Sequence, residues 1–206
     1  MVVVGYGASA IIEHFGDSYE DLPITYVYQR EQLGLGHAIL QAEPHVEGPF
    51  VVLNGDNVVA GNLRRAIERF RRADVDAVIA VEEVDRETAS ETGVVTVEDG
   101  RVTEVVEKPD EPPSTLVTTG CYVLPAEIFD ALRLCRPSDR GEYELTDAID
   151  VYVRADAIDV YVRAGAIVDT VELDVERVNV NTPEDVERAA AVVGRGVRER
   201  TERPRE

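Results

Sequence analysis

Phe50-Val51-Val52-Leu53-Asn54-Gly55-Asp56-Asn57, residues 50–57, is the stretch on which the reading of this chain turns. Four consecutive apolar residues give way at once to Asn, Gly and Asp. An unbroken apolar run of this length is expected of a strand buried on both faces. The polar residues that follow mark the turn that ends it. Downstream, Leu63–Arg72 sets Leu63, Ile67 and Phe70 on one side of a helix, and Ala77–Val84 is the next strand. Upstream, Val2-Val3-Val4 and Ile24–Tyr28 read as strands around a short helix that carries Ala10-Ile11-Ile12 and Phe15 and ends at Gly16. Gly34–Ala42 reads as loop, then helix. Strands alternating with helices at this spacing predict a mixed, mostly parallel sheet sandwiched by helices.

Beyond residue 90 the pattern changes. Val94–Val97, Glu98-Asp99-Gly100 and Val102–Val106 predict a hairpin with an Asp-Gly turn. Leu116–Leu124 is a strand, and Pro125 opens a helix over Ala126–Leu134. A helix starts at Leu145, strands follow over Ile167–Leu173 and Arg177–Val180, and Thr182-Pro183-Glu184-Asp185 starts a last helix running to about Val193. Residues 148–156, AIDVYVRAD, recur as AIDVYVRAG over 157–165. Nine helical residues turn through about 900°, so the two copies face opposite ways and cannot bury the same stripe. The expected organisation is one domain over 1–194 and a charged tail over 195–206.

The 206 residues are 44% apolar, enough for one sizeable core. No apolar run approaches a membrane span and no secretory signal is visible at Met1-Val2-Val3-Val4-Gly5, so a cytoplasmic location is expected. The 41 acidic and 21 basic residues give a net charge of −20, which excludes nucleic acid and anionic membranes as natural partners. Of the basic residues only Lys108 is a lysine. An acidic, lysine-poor composition is similar to that of proteins from salt-loving archaea; at 1 M salt a Debye length of about 3 Å would screen the self-repulsion. Cys121 and Cys135 form no CxxC pair and the three His are scattered, so no zinc pattern exists.

Four strings carry chemistry. Gln29–Ala38 (QREQLGLGHA) lies where strand gives way to helix; its two Gly would let a backbone approach a flat ligand, and the Gln29 amide can pair with a pyrimidine edge. A surface Gln before a glycine-rich turn would look the same. Asp56 sits just past a strand's C-terminal end, where ligands of open α/β sheets collect, and a carboxylate there suits Mg²⁺; the alternative is an ordinary turn Asp. Lys108, within Glu107-Lys108-Pro109, offers phosphate a point charge, unless it is a chance survivor. Ser138–Asp147 (SDRGEYELTD) crowds charge at a helix start: Arg140 can hold a phosphate and Glu142 can accept sugar hydroxyls, or the segment merely caps the helix.

In order and spacing, these strings resemble the sugar nucleotidyltransferase family, which includes glucose-1-phosphate thymidylyltransferases and UTP–glucose-1-phosphate uridylyltransferases. The resemblance runs from Val2 to Ala190 and includes Gly5-Tyr6, Phe15-Gly16-Asp17, Gly93-Val94-Val95, Thr119-Gly120-Cys121-Tyr122 and Val178-Asn179. It implies a Rossmann-like, nucleotide-diphospho-sugar transferase fold. It implies that Gln29 and Gly34 hold the base, a uracil or thymine. Asp56 and Asn179 would bind Mg²⁺; Gly93, Glu107, Thr119, Gly120 and Glu142 would line the sugar; and Lys108 and Arg140 would hold its phosphate. Asp56, Lys108 and Arg140 would thus be the catalytic set. The implied reaction is attack by a sugar-1-phosphate oxygen on the α-phosphorus of UTP or dTTP, releasing pyrophosphate, with no nucleic acid or membrane partner and with a homo-oligomer left open.

The family's glycine-rich G-x-G-T-R loop has no counterpart here. The resemblance implies that the first strand and that signature loop, roughly fifty or sixty residues counted as a strand–helix unit plus loop, lie outside the sequence, leaving an apolar edge exposed. Hence the alternative expectation of a catalytically impaired sugar-nucleotide-binding fragment or regulatory module. A glycosyltransferase on a related fold would want Asp-x-Asp after a strand, which Asp56-Asn57-Val58 does not supply.

Overall fold

The computed structural model describes residues 1–72, 75–154, 166–173 and 175–202, and the chain divides into two compact units. Unit one comprises Met1–Phe50, Thr103–Glu107 and Pro125–Ala166; unit two comprises Val51–Val102, Lys108–Leu124 and Ile167–Glu206.

In unit one, β1 (Val2–Val4) pairs in parallel with β4 (Tyr26–Tyr28), Val3 opposite Val27. Between them α1 (Ala8–Phe15) ends at Gly16, and β2 (Ser18–Tyr19) and β3 (Leu22–Pro23) form a small hairpin that the apolar pattern did not predict. Its turn residues Glu20 and Asp21 have φ of 45° and 65°; the short Asp side chain is among the few that tolerate this region well. Helices α2 (Leu35–Ala42), α5 (Ile128–Leu134) and α6 (Leu145–Val153) bury Ile39, Leu132, Leu145 and Ile149. Each such aliphatic side chain is worth about 2 kcal/mol when fully buried. Phe50 and Phe129 stack at 5.3 Å between centroids. The first copy of the repeat lies largely in α6, burying Ala148, Ile149 and Tyr152; the second copy, 157–165, lies outside the described residues.

In unit two, β7 (Ala77–Glu83) is buried throughout Ala77–Val81. It has parallel β11 (Val168–Glu172) on one side and antiparallel β10 (Leu116–Leu124) on the other. Next to β10 lies β8 (Gly93–Glu98), and β5 (Phe50–Leu53) also pairs with β10. Asp99 and Gly100, with φ of 51° and 76°, turn β8 into β9 (Arg101–Glu107), whose residues from Thr103 on belong to unit one; this is the paired positive φ that an Asp-Gly hairpin turn requires. Helix α3 (Arg64–Phe70) packs Ala66, Ile67 and Phe70 against Val78 and Val123. A further strand, β6 (Asn57–Gly61), unanticipated from the sequence, pairs antiparallel with β12 (Val175–Asn179). Beneath them α7 (Pro183–Glu202) packs Ala189 and Val192 against Val178. The short α4 (Arg86–Ala89) is capped by Asp85, whose carboxylate accepts the Thr88 N–H at 2.8 Å.

Two expectations need correction. β5 is not buried on both faces: Val51 and Leu53 are 46% and 44% exposed. Among the described residues β10 is its only strand neighbour, and the face carrying Val51 and Leu53, two residues apart, is open to solvent. The last helix does not stop near Val193 but continues to Glu202, since Arg and Glu are strong helix formers. No described helix is long and apolar enough to cross a membrane.

Candidate active site

In unit two the turn after β5 is fixed from both ends. The Asn54 N–H donates to the Gly120 carbonyl at 2.9 Å, and the Asn57 N–H donates to the Asn54 carbonyl at 3.2 Å. Gly120 lies in a register shift of β10, between Thr118 and Tyr122, with φ of 73°. A Cβ there would fall 2.8 Å from Asn57 Nδ2 and 2.9 Å from Asn54 Nδ2. Only glycine satisfies both the backbone and the space.

This turn presents Asp56 to solvent. Asn57 Nδ2 donates to Asp56 Oδ1 at 2.8 Å, and Arg177 Nη1 donates to Asn57 Oδ1 at 2.6 Å while its other amino group pairs with Glu82. Pairing of β6 with β12 sets Asn179 opposite Asn57, and the Val180 N–H donates to the Asp56 carbonyl at 2.7 Å. Asp56 and Asn179, far apart in sequence, are therefore neighbours. Asn54 Oδ1 is buried without a hydrogen-bond partner among the described residues. These donors fit a hard cation: one carboxylate and amide carbonyls, with the remaining positions for water and phosphate, is how Mg²⁺ is usually held. No cluster of three or more His, Cys, Asp or Glu able to hold a metal occurs among the described residues.

Lys108 also belongs to unit two. Its φ is 43°, and its N–H donates to the Thr92 carbonyl at 3.0 Å, beside Gly93. A non-glycine residue held there costs of order 1 kcal/mol and is found where the surroundings enforce it. Thr119 is buried, and its hydroxyl is already donated to the Ala80 carbonyl at 3.0 Å, leaving oxygen lone pairs and backbone for any ligand.

In unit one, Gln29 Nε2 donates to the Gly34 carbonyl at 3.0 Å and lies 3.1 Å from His37 Nδ1. The amide's donor end is thus committed, and its carbonyl oxygen makes no hydrogen bond among the described residues. Gly34, with φ of 90°, opens α2. A Cβ on it would fall 2.8 Å from Glu142 Cβ, and one on Gly36 would fall 2.7 Å from the Tyr143 carbonyl. The two glycines therefore admit the chain's own 142–143 backbone. Reciprocal bonds lace the segments together: Tyr143 N–H to the Leu33 carbonyl and Gly36 N–H to the Tyr143 carbonyl, both 2.7 Å. Gln29, Gly34 and Glu142 are in this way drawn to one locality.

Arg140 is not a free cation. Its Nη2 donates to Glu144 Oε1 at 2.7 Å and lies 3.5 Å from Glu107 Oε1; the bond to Glu144 raises its pKa further above the ordinary arginine value. Glu107 also accepts from the Thr146 hydroxyl at 3.2 Å. Burial, then the charges of Glu144 and Asp150, push the Asp147 carboxyl up, with Arg140 opposing. Sequence reasoning assigned no role to Glu144, Asn54, Asn57 or Arg177. The four-residue spacing of Arg140 and Glu144 was a usable hint; Arg177, 120 positions from Asn57, left none.

Residues 1–170 match the family model described as nucleotidyl transferase. Over 190 residues the chain is 44% identical to a protein named UTP–glucose-1-phosphate uridylyltransferase AglF from Haloferax volcanii, covering 92% of this chain and 74% of that protein. It is 40% identical over 152 residues to the low-salt glycan biosynthesis nucleotidyltransferase Agl11 of the same organism, covering 72% of this chain but only 42% of the relative. A UDP-glucose pyrophosphorylase crystallised with UDP-glucose superposes with a TM-score of 0.78 at 24% identity, over 94% of this chain and 79% of that one. That likeness establishes the fold.

Proposed function

The chain belongs to the nucleotidyl transferase family, and from that premise we propose that it joins UTP or dTTP to a sugar 1-phosphate, giving an NDP-sugar and pyrophosphate. UTP and glucose 1-phosphate are the favoured pair, by identity to the uridylyltransferase relative. The observation that carries the reading is the oxygen-donor turn at Asp56, set beside Asn179 across two strands and backed by the orphan carbonyl of Asn54.

The attacking oxygen of a sugar 1-phosphate is already anionic, so the reaction needs no general base; it needs two anions brought together. The residues assigned here suit that task. Lys108 and Arg140 offset phosphate charge. Gln29, with its carbonyl uncommitted, accepts the imide N–H that uracil and thymine carry, and Gly34 fixes the loop beside it. Gly93, Glu107, Thr119, Gly120 and Glu142 line the sugar. Asp56 and Asn179 would hold Mg²⁺, which when bound supplies charge neutralisation at the phosphates. The compositional excess of acid fits work in a salty cytoplasm, where screening lets anionic substrates approach a −20 chain.

The test is pyrophosphate release from UTP and glucose 1-phosphate with Mg²⁺ in molar KCl. Release that requires both substrates and the metal, and falls to background in Asp56→Ala without a change in Tm, is the expected result. Thermal stabilisation by UDP-glucose with no pyrophosphate from the wild-type chain would refute the transferase reading and leave a binding module.

A further inference from the structure

Glu144 is a carboxylate only 6% exposed, which is costly for a charge unless a partner holds it. Its Oε1 accepts two bonds at once, from Ser138 Oγ at 2.9 Å and from Arg140 Nη2 at 2.7 Å. The loop that carries Arg140 is closed on itself: Ser138 N–H donates to the Glu142 carbonyl and Gly141 N–H to the Ser138 carbonyl, each at 2.8 Å. A carboxylate at the buried end of this loop thus grips the side chain at its exposed end.

We infer that Glu144 is the positioning residue of the sugar-phosphate site, holding Arg140 so that its remaining N–H donors face the phosphate; the inference rests on the role assigned to Arg140 above. Among the described residues every Arg140 bond runs through Nη2. Nη1 and Nε make no bond among the described residues and keep their N–H donors for a phosphate. The side chain is 39% exposed, so a ligand can reach it. Unheld, a guanidinium on a loop samples many rotamers, and each productive contact must then recover the lost freedom. Glu107, 3.5 Å away, adds a second, looser tether from β9. Glu144 touches no substrate in this scheme; it acts through Arg140.

The alternative is that Glu144 only anchors the 138–144 loop to the fold. Four proteins separate the two: wild type, Glu144→Leu, Arg140→Ala and the double variant, with Glu144→Gln as the conservative replacement that keeps an oxygen acceptor for Ser138 and Arg140. Steady-state KM is read for glucose 1-phosphate and for UTP, or calorimetric Kd for the same compounds if turnover is absent. Glu144→Leu should raise the glucose 1-phosphate value roughly 30- to 100-fold, the cost of a misplaced binding group, and leave UTP within about twofold. Glu144→Gln should recover most of the loss. In the Arg140→Ala background Glu144→Leu should add nothing.

Equal losses in both backgrounds, or a parallel rise for both substrates, would overturn the inference. If Glu144→Leu does not fold, Glu144→Ala takes its place: a loss as large for UTP as for glucose 1-phosphate rejects the inference, and a loss confined to glucose 1-phosphate that Glu144→Gln recovers supports it. Arg140→Ala keeps the two levels apart. No change in glucose 1-phosphate affinity there would sink the phosphate role of Arg140 itself. A loss there with none in Glu144→Leu would sink only the positioning role.

Discussion

Gly120→Ala should be among the most damaging single-methyl changes in the protein. Glycine at φ 73° pays nothing for that backbone, whereas alanine pays about 1–2 kcal/mol. The new Cβ would also lie 2.8 Å from Asn57 Nδ2 and 2.9 Å from Asn54 Nδ2, closer than real Cβ contacts come. Both amides must shift, and with them the bonds Asn57 makes to Asp56 and Arg177; losing one or two of these costs about 1–2 kcal/mol more. The sum is about 3 kcal/mol, or roughly 6–12 °C in Tm for a chain of this size. Thermal melts in high salt measure it. Gly55→Ala is the control, because a Cβ at Gly55 meets nothing within 4 Å and should shift Tm little. The Mg²⁺ concentration for half-maximal activity should rise in Gly120→Ala and stay put in Gly55→Ala. A Tm loss below about 2 °C in Gly120→Ala would refute the argument, since the backbone term alone exceeds that.

Two more changes test neighbouring claims. Lys108→Asn should keep or slightly raise thermal stability, because Asn tolerates the positive φ at this position better than Lys, while glucose 1-phosphate turnover falls at least tenfold; a matching loss of Tm would mean the lysine serves the fold. Asp147→Asn should raise Tm by a few degrees at pH 7. The folded protein holds the Asp147 proton more tightly than the unfolded chain, so wild-type stability falls as pH rises through the raised folded-state pKa. The advantage of Asn should vanish below pH 3.8, the ordinary value, and melts across that range that stay parallel would contradict it.

Much of the architecture was legible because it is written in contiguous residues. The Asp99-Gly100 turn, the uninterrupted Leu116–Leu124 strand and the Thr182–Asp185 helix start each carry their cause within a few positions. β6 escaped notice because Asn57–Gly61 follows a turn motif directly and shows no period of its own. β5 was read as doubly covered because an apolar run announces burial but not the number of neighbours that will supply it.

At the site, the residue types are legible in the chain order alone: the Asp past a strand end, the single Lys, the Arg among acids, the glycines before a helix. What those residues do to one another emerges from the folded arrangement. It showed that Gly34 and Gly36 make room for Tyr143, that Asn179 stands opposite Asn57, and that Arg140 is held by Glu144 and Glu107. The physical reason is range. Turn preference and hydrophobic period are properties of neighbours along the chain, whereas strand register and side-chain pairing depend on segments that meet only once the core has closed.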